Sequence, residues 1–300
     1  MPSVDTMINR MHALRDEMED GVIGEAAEEL QRIFARAEVA LARNRRKFTA
    51  LMTGADGNLQ RTPENIEAAR RIMEELDEEI NVWIREAGKA WADAKLPAIH
   101  EAGRELARVN FDVDGVSPEL VRAAFENVST AERAVLRVGF ENTYRIMNTV
   151  GDDVADWFRR TMLDAIIDGV PVQGRGDTLV NRLFESGRIK PITIKTESGR
   201  IIRRSVQQRA TTIARVESAR LSNQTHEVLA REVFGGEAVY INSNPRDSRT
   251  TDICRRASTQ KAMTMEQWEQ SEFGKPPRLN PFHMCRSVLI GGMPEWFKGR

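Results

Sequence analysis

The sequence predicts a mainly α-helical fold, and three observations carry that expectation. Charged residues make up 30% of the 300 positions and aromatics only 6%, the balance of long solvated helices rather than of a β-sandwich. Two stretches in the first third repeat apolar residues at alternating steps of three and four, the period of packed helices. Helix-capping residues stand in front of several later segments. A hydrophobic content of 41% suffices to bury a core in a chain of this length.

The first seam runs through Ile23, Ala27, Leu30, Phe34, Ala37, Leu41, Asn44, Phe48 and Leu51. That is a heptad seam over about four repeats, with Asn44 its one polar member. After a stretch rich in Gly and Asp (Thr53 to Arg61), Thr62 can cap a second helix and Pro63 can fill its first turn. Its apolar set is Ile66, Ala69, Met73, Leu76, Ile80, Trp83, Ala87, Ala90 and Ala94, until Pro97 bends or ends it. The short connection favours an antiparallel, coiled-coil-like hairpin packed on itself. Residual apolar edges leave self-association open, and Trp83 and Trp91 read as core or seam residues rather than ligand platforms.

Further along, Ser117 and Pro118 form a cap and first turn, and Ser129 and Glu132 stand at capping-box spacing before a helix running toward Val150. A separate helix carries Trp157, Met162, Ala165 and Ile166 and stops at Gly169 and Pro171. A short one opens at Asp177 and carries Leu179, Leu183 and Phe184. Between Arg188 and Arg204, Ile192, Ile194, Ile201 and Ile202 flank Glu197, Ser198 and Gly199, which reads as a basic β-hairpin. A long helix from Ser205 to Phe234 stops at Gly235 and Gly236, and Glu237 to Ser243 reads as a strand. The remaining tail is loop-rich. The expected organisation is a helical arm over 1–116, a helical middle with the β-hairpin over 117–204, and a small α+β unit over 205–300.

Lys and Arg number 44 against 45 Asp and Glu, a net charge of -1. Nothing in that total favours wrapping a nucleic-acid backbone, so any DNA contact must be local. The first twenty residues carry charges every few positions and no stretch of about 18 apolar residues occurs, which predicts a soluble chain without export or membrane insertion. With two cysteines in a chain made in a reducing cytosol, a disulfide framework is a poor account of Cys254 and Cys285.

The tail carries a resemblance in three blocks: IARVESARLSNQTHEVL from Ile213, YINSNPRDSRTTDICRRAS from Tyr240 and PFHMCRSV from Pro281. Their order is similar to that of the head-morphogenesis (minor head) proteins of tailed phages. In that pattern a Cys-x-x-Cys follows Asp-x-Arg-Thr, and a late His and Cys complete a metal knuckle. Here Thr251 stands at the first cysteine position, and His283 precedes Cys285 by two residues.

Read as donors, Cys254, His283 and Cys285 are three soft or borderline ligands, and Asp247 or Asp252 could add an oxygen. Structural zinc prefers thiolate and imidazole, so the alternative is a degenerate, metal-free knuckle with the thiols packed as small core residues. Arg215, Glu217, Asp247, Arg249 and Arg286 are candidates for structural or partner-binding roles. Glu217 pairs more naturally with Arg220, three residues on, than with Arg215. A buried Arg215 or Glu217 could tie the long helix to the Asp247 to Arg249 loop.

The resemblance implies a non-enzymatic virion part acting in prohead assembly at or near the portal. Portal, capsid or scaffolding proteins would be its partners, and it would pass from host cytoplasm into the virion. Gly174, Arg175 and Gly176 lack the continuation of a phosphate loop, and His12, His100 and His226 lack ligand partners. His12 and His226 read as surface residues. The other reading is a metal-dependent nuclease or hydrolase using Asp247, Asp252 and His283. A DNA contact through Arg203, Arg204, Arg209 and the Lys190 to Lys195 stretch is a third, added activity.

Overall fold

The computed structural model describes residues 4–52, 62–113, 115–168, 192–195, 201–204, 206–245, 250–274 and 287–298. It is mainly helical. In order come α1 (Val4–Asp20), α2 (Val22–Met52), α3 (Pro63–Ile80), a π-turn (Asn81–Glu86), α4 (Ala87–Phe111), α5 (Pro118–Glu126) and α6 (Thr130–Asp168). Then follow β1 (Ile192–Lys195), β2 (Ile201–Arg204), α7 (Val206–Phe234), β3 (Val239–Ser243), α8 (Asp252–Ala257), α9 (Met265–Gln270) and β4 (Val288–Gly292). The chain divides into two compact units. One comprises Met1–Ala27, Asp93–Glu141 and Thr212–Arg300, the other Glu28–Ala92 and Asn142–Thr211. Each therefore joins stretches far apart in sequence.

In the second unit, α2 and α3 form the expected antiparallel hairpin. Lys47 Nζ meets Glu75 Oε2 at 2.6 Å, Arg43 meets Glu79, and Arg36 lies over the Trp83 ring at 5.5 Å. Ascending numbers on one helix thus face descending numbers on the other. The first seam is buried from Ile23 through Phe48. Asn44, fully buried, donates through Nδ2 to Glu79 Oε2 at 2.8 Å and to the Ala40 carbonyl at 3.0 Å. That bond matches a polar group on each helix at a single level, so any slip of register would bury it without a partner.

The second seam departs from the expected period. Ala69, Leu76 and Ile80 are buried, but thereafter the buried set is Ile84, Gly88, Trp91, Leu96 and Ile99, while Ala90 and Ala94 face solvent. The cause is the π-turn, whose extra residue per turn rotates everything after Ile80 to a new face. Ile66, expected in the seam, is 45% exposed. Nor does Pro97 end the helix, which runs through it to Phe111. Similarly, the two helices expected on either side of Val150 are one helix of 39 residues, Thr130–Asp168. The basic β-hairpin is present as β1 paired antiparallel with β2, Ile192 opposite Arg204 and Lys195 opposite Ile201. The short helix expected from Asp177 lies outside the described residues.

In the first unit, α1 joins the carboxyl-terminal elements. Met7 and Met11 share a core with Leu106, Phe111, Leu229, Tyr240, Trp268, Leu289 and Phe297. β3 and β4 pair antiparallel, with Tyr240 opposite Gly291 and Ser243 opposite Val288. Tyr240 also exchanges backbone bonds with Met263, at 2.8 and 3.1 Å. Caps expected from sequence form at Thr62, Ser117 and Ser129, each side-chain oxygen accepting a backbone N–H three residues on. A further capping box, Thr264 with Gln267, opens α9. At the end of α7, Gly235 takes a φ of 69°, the left-handed conformation that stops a helix at little cost only in glycine.

Candidate functional site

The sequence candidates cluster around α7, whose carboxyl-terminal part is buried on several sides despite its polar composition. Thr212, Glu217, Ser218, Ser222, Asn223, Thr225, His226 and Glu227 are all buried. Their neighbours explain the helix's position. Gly103 of α4 lies so close that a Cβ there would fall 2.9 Å from Ser222 Cα, so only glycine permits this approach. Asn223 accepts the Leu289 N–H at 3.1 Å through Oδ1 and donates to the Ala219 carbonyl at 2.6 Å, fastening β4 to the helix. Asn110, from the last turn of α4, serves β4 two residues further on. It accepts the Gly291 N–H at 3.1 Å and donates to the Gly291 carbonyl at 2.7 Å, replacing a neighbouring strand at that residue.

Of the residues singled out in the sequence, Arg215 extends Nε to 3.3 Å from Glu19 Oε2 on α1, and Glu19 also accepts from buried Arg15 at 2.8 Å. Glu217 is buried and takes Arg220 Nη2 at 2.5 Å, the i, i+3 pairing expected for it. Cys254 is buried on α8, and its carbonyl accepts from Asn244 Nδ2 at 2.9 Å. Asp252 projects into solvent with its side chain 96% exposed, 3.8 Å from Arg255. Asp247, Arg249, His283, Cys285 and Arg286 lie outside the described residues, so the donor set expected around Cys254 is represented there by Cys254 and Asp252. Among the described residues, no three His, Cys, Asp or Glu gather into a group able to hold a metal ion.

Two features were not legible in advance. Glu132, the capping-box residue, is fully buried and also the centre of a charge cluster. Its Oε1 takes Arg104 Nη1 at 2.5 Å and lies 3.5 Å from His100 Nε2, while Oε2 accepts the Ser129 N–H at 2.8 Å. Arg104 in turn donates to the Phe125 carbonyl at 2.8 Å and lies over the Phe125 ring at 5.4 Å. Burial pushes the Glu132 carboxyl up, but the bonds from His100, Ser129 and Arg104 outweigh it and hold the group below the usual carboxylate range. A carboxylate so saturated by donors is a structural anion rather than a general base.

The second feature corrects an expectation. His226 is fully buried rather than superficial, with its ring 5.7 Å from that of Phe111. Burial pushes its pKa down to about 3, opposed by a weaker bond at the Leu289 backbone, so the ring is neutral at ordinary pH. His12 is likewise half-buried and bonds Ser243 Oγ at 2.8 Å. Tyr240, which donates to the Glu227 carbonyl at 3.3 Å, has its phenol pushed up, first by burial and then by Glu227, and stays protonated. The signal for both histidines lay in long-range packing, which no local pattern encodes. No family model, curated protein or solved structure matches the chain.

Proposed function

We propose that this chain is a structural minor head protein of a tailed phage, acting in prohead assembly at or near the portal and entering the virion. Portal and capsid or scaffolding proteins are its partners. The observation that carries the reading is the convergence of the three blocks that resemble the head-morphogenesis family. Tyr240 of the second block donates to Glu227 of the first, Ser243 of the second pairs with Val288 of the third, and Asn223 of the first accepts from Leu289 immediately after the third. Blocks separated by tens of residues thus serve one packed unit, as parts of a single inherited domain would. Asn223 and Tyr240 use their polar groups to hold helix to sheet, a use that suits an assembly part. Exposed apolar residues on α2 and the π-turn, Val39 at 69% and Val82 at 45% exposure, offer a further surface for a partner helix or a second copy.

The test is the composition of purified proheads assembled with and without portal protein, read by quantitative mass spectrometry. The expected result is a few copies per head, lost when the portal is omitted. Heads that form normally and never contain the chain would overturn the proposal.

A further inference from the structure

We infer that the α2–α3 hairpin pairs with a second copy of this chain, through a two-fold axis running along the hairpin, as an antiparallel four-helix packing. This commits the exposed hairpin surface named above to one occupant, and it holds for the isolated chain independently of the assembly role. The first observation is a pair of solvent-facing stripes. On α2, Arg32, Arg36, Val39, Arg43 and Arg46 recur at steps of four and three and are all exposed. Glu74, Glu78, Val82 and Glu86 recur at steps of four along α3 and the π-turn and are likewise exposed. Both stripes lie on one side of the hairpin, because Arg43 meets Glu79, Lys47 meets Glu75 and Arg36 covers the Trp83 ring across that side. Val39 stands one turn from both Arg36 and Arg43, and Val82 adjoins Trp83 one turn beyond Glu78.

The second observation is the charge complementarity of the two stripes. Residues 32–47 hold six Lys or Arg against one Glu, and residues 74–86 hold six Asp or Glu against one Arg. The hairpin thus presents a cationic helix beside an anionic one, with Val39 and Val82 at a shared apolar level. A face of that kind is complementary to itself. A half-turn about an axis parallel to the helices sets α2 of each copy on α3 of the other without changing level. Val39 then meets Val82 of the second copy, Arg46 comes level with Glu74 and Glu78, and Arg32 with Glu86. A two-fold axis running across the helices would set arginines on arginines, which like-charge repulsion excludes. Residues 32–47 extend about 24 Å and two helices about 20 Å across, so the pair of copies would bury about 1,000 Å². That is the lower end for a specific interface, so the dimer is weak, and its charged rim makes it salt-sensitive.

The test is sedimentation equilibrium of the full chain from about 1 to about 300 µM at low salt, where a reversible monomer–dimer equilibrium is expected. Raising NaCl to about 500 mM should weaken it several-fold. Arg32→Glu with Arg46→Glu should lower dimer affinity by about tenfold or more, as should Glu78→Lys with Glu86→Lys, each with the circular dichroism of the parent chain. Mixed together, the two variants should associate again, because each reversed α2 then meets a reversed α3 while the unaltered helices keep their pairing. The control, Arg137→Glu on α6, changes a side chain that is 75% exposed and should dimerise as the parent does. A chain monomeric at about 300 µM overturns the inference, as does a dimer indifferent to both reversals or one that the mixture fails to restore. Should a reversed variant misfold, Arg32→Gln with Arg46→Gln and the salt dependence of the parent decide. No virion component enters the measurement, so it can fail while the prohead test succeeds, and the reverse.

Discussion

Glu132→Ala is the most informative single substitution, because one side chain closes both a helix start and a buried ion pair. The variant deletes the acceptor of Arg104 Nη1 and of the Ser129 N–H, while Arg104 itself stays buried and charged. Arg104 keeps the Phe125 carbonyl and a 3.5 Å approach to Glu101, whose side chain is 60% exposed, which compensates little for a guanidinium cut off from water. Breaking one side of such a pair costs about 3 to 5 kcal/mol, against a typical domain stability of about 5 to 15 kcal/mol. Replacing both partners, Glu132→Leu with Arg104→Met, removes the stranded charge and should recover most of that loss. Urea denaturation followed by circular dichroism measures both, and the double variant should lie well above the sum of the singles. The same cluster has a pH signature. Because the folded carboxyl sits below its ordinary value, its contribution is complete above about pH 4.5 and fades as pH falls through the folded pKa. A single Glu132→Ala variant within about 1 kcal/mol of the parent chain would refute the buried-pair reasoning.

Other substitutions test the remaining contacts. His226, neutral when folded with a pKa near 3 and near 6.5 when unfolded, should make stability complete above about pH 6.5 and progressively lost down to about pH 3. The full loss is about 4 to 5 kcal/mol, and His226→Phe should remove that dependence from pH-resolved urea midpoints. Asn110→Ala leaves the buried N–H and carbonyl of Gly291 without their partner, and should cost about 2 to 5 kcal/mol in the same assay. Leu30→Asp with Leu76→Asp places charge at two fully enclosed seam positions. Limited proteolysis should then cut within the α2–α3 hairpin, and prohead incorporation at the normal level with the hairpin melted would remove it from the proposed assembly role. Elemental analysis of protein expressed with zinc separates the two readings of Cys254. Near-stoichiometric metal lost with Cys254→Ser and Cys285→Ser marks a knuckle, and metal-free protein with an unchanged melting temperature marks a packed thiol.

What could be read from the sequence was what local chemistry determines. Thr62, Ser117 and Ser129 act within three residues of themselves, so their caps were visible without knowing the fold. The α2 seam was visible because one unbroken helix keeps its period from Ile23 to Phe48. The α3–α4 seam failed beyond Ile80 because a π-turn changes the phase without changing the residue types that mark a helix. Pro97 was expected to bend or end the helix, and it does not end it: Leu96 and Ile99 are buried beside it and the helix runs on to Phe111. Of the candidate site, the Glu217–Arg220 pair followed from helix spacing alone. The partners of Glu132 and the burial of His226 depend on residues brought from elsewhere in the chain.

The polar burial around α7 has a physical consequence that bears on the proposed assembly role. An amphipathic helix on an oily face can slide or rotate at small cost, since apolar contacts are interchangeable. α7 is denied that freedom. Asn223 has one backbone N–H on β4 to accept, Arg215 meets Glu19 on α1, and Gly103 admits Ser222 at a single close approach. Each contact loses its partner if the helix moves by a turn, and a buried group without a partner costs about 1 to 3 kcal/mol. The helix is therefore held in one placement by requirements that punish error, rather than by hydrophobic area alone. A part that must present the same surface in every assembling particle needs that single placement more than it needs excess stability.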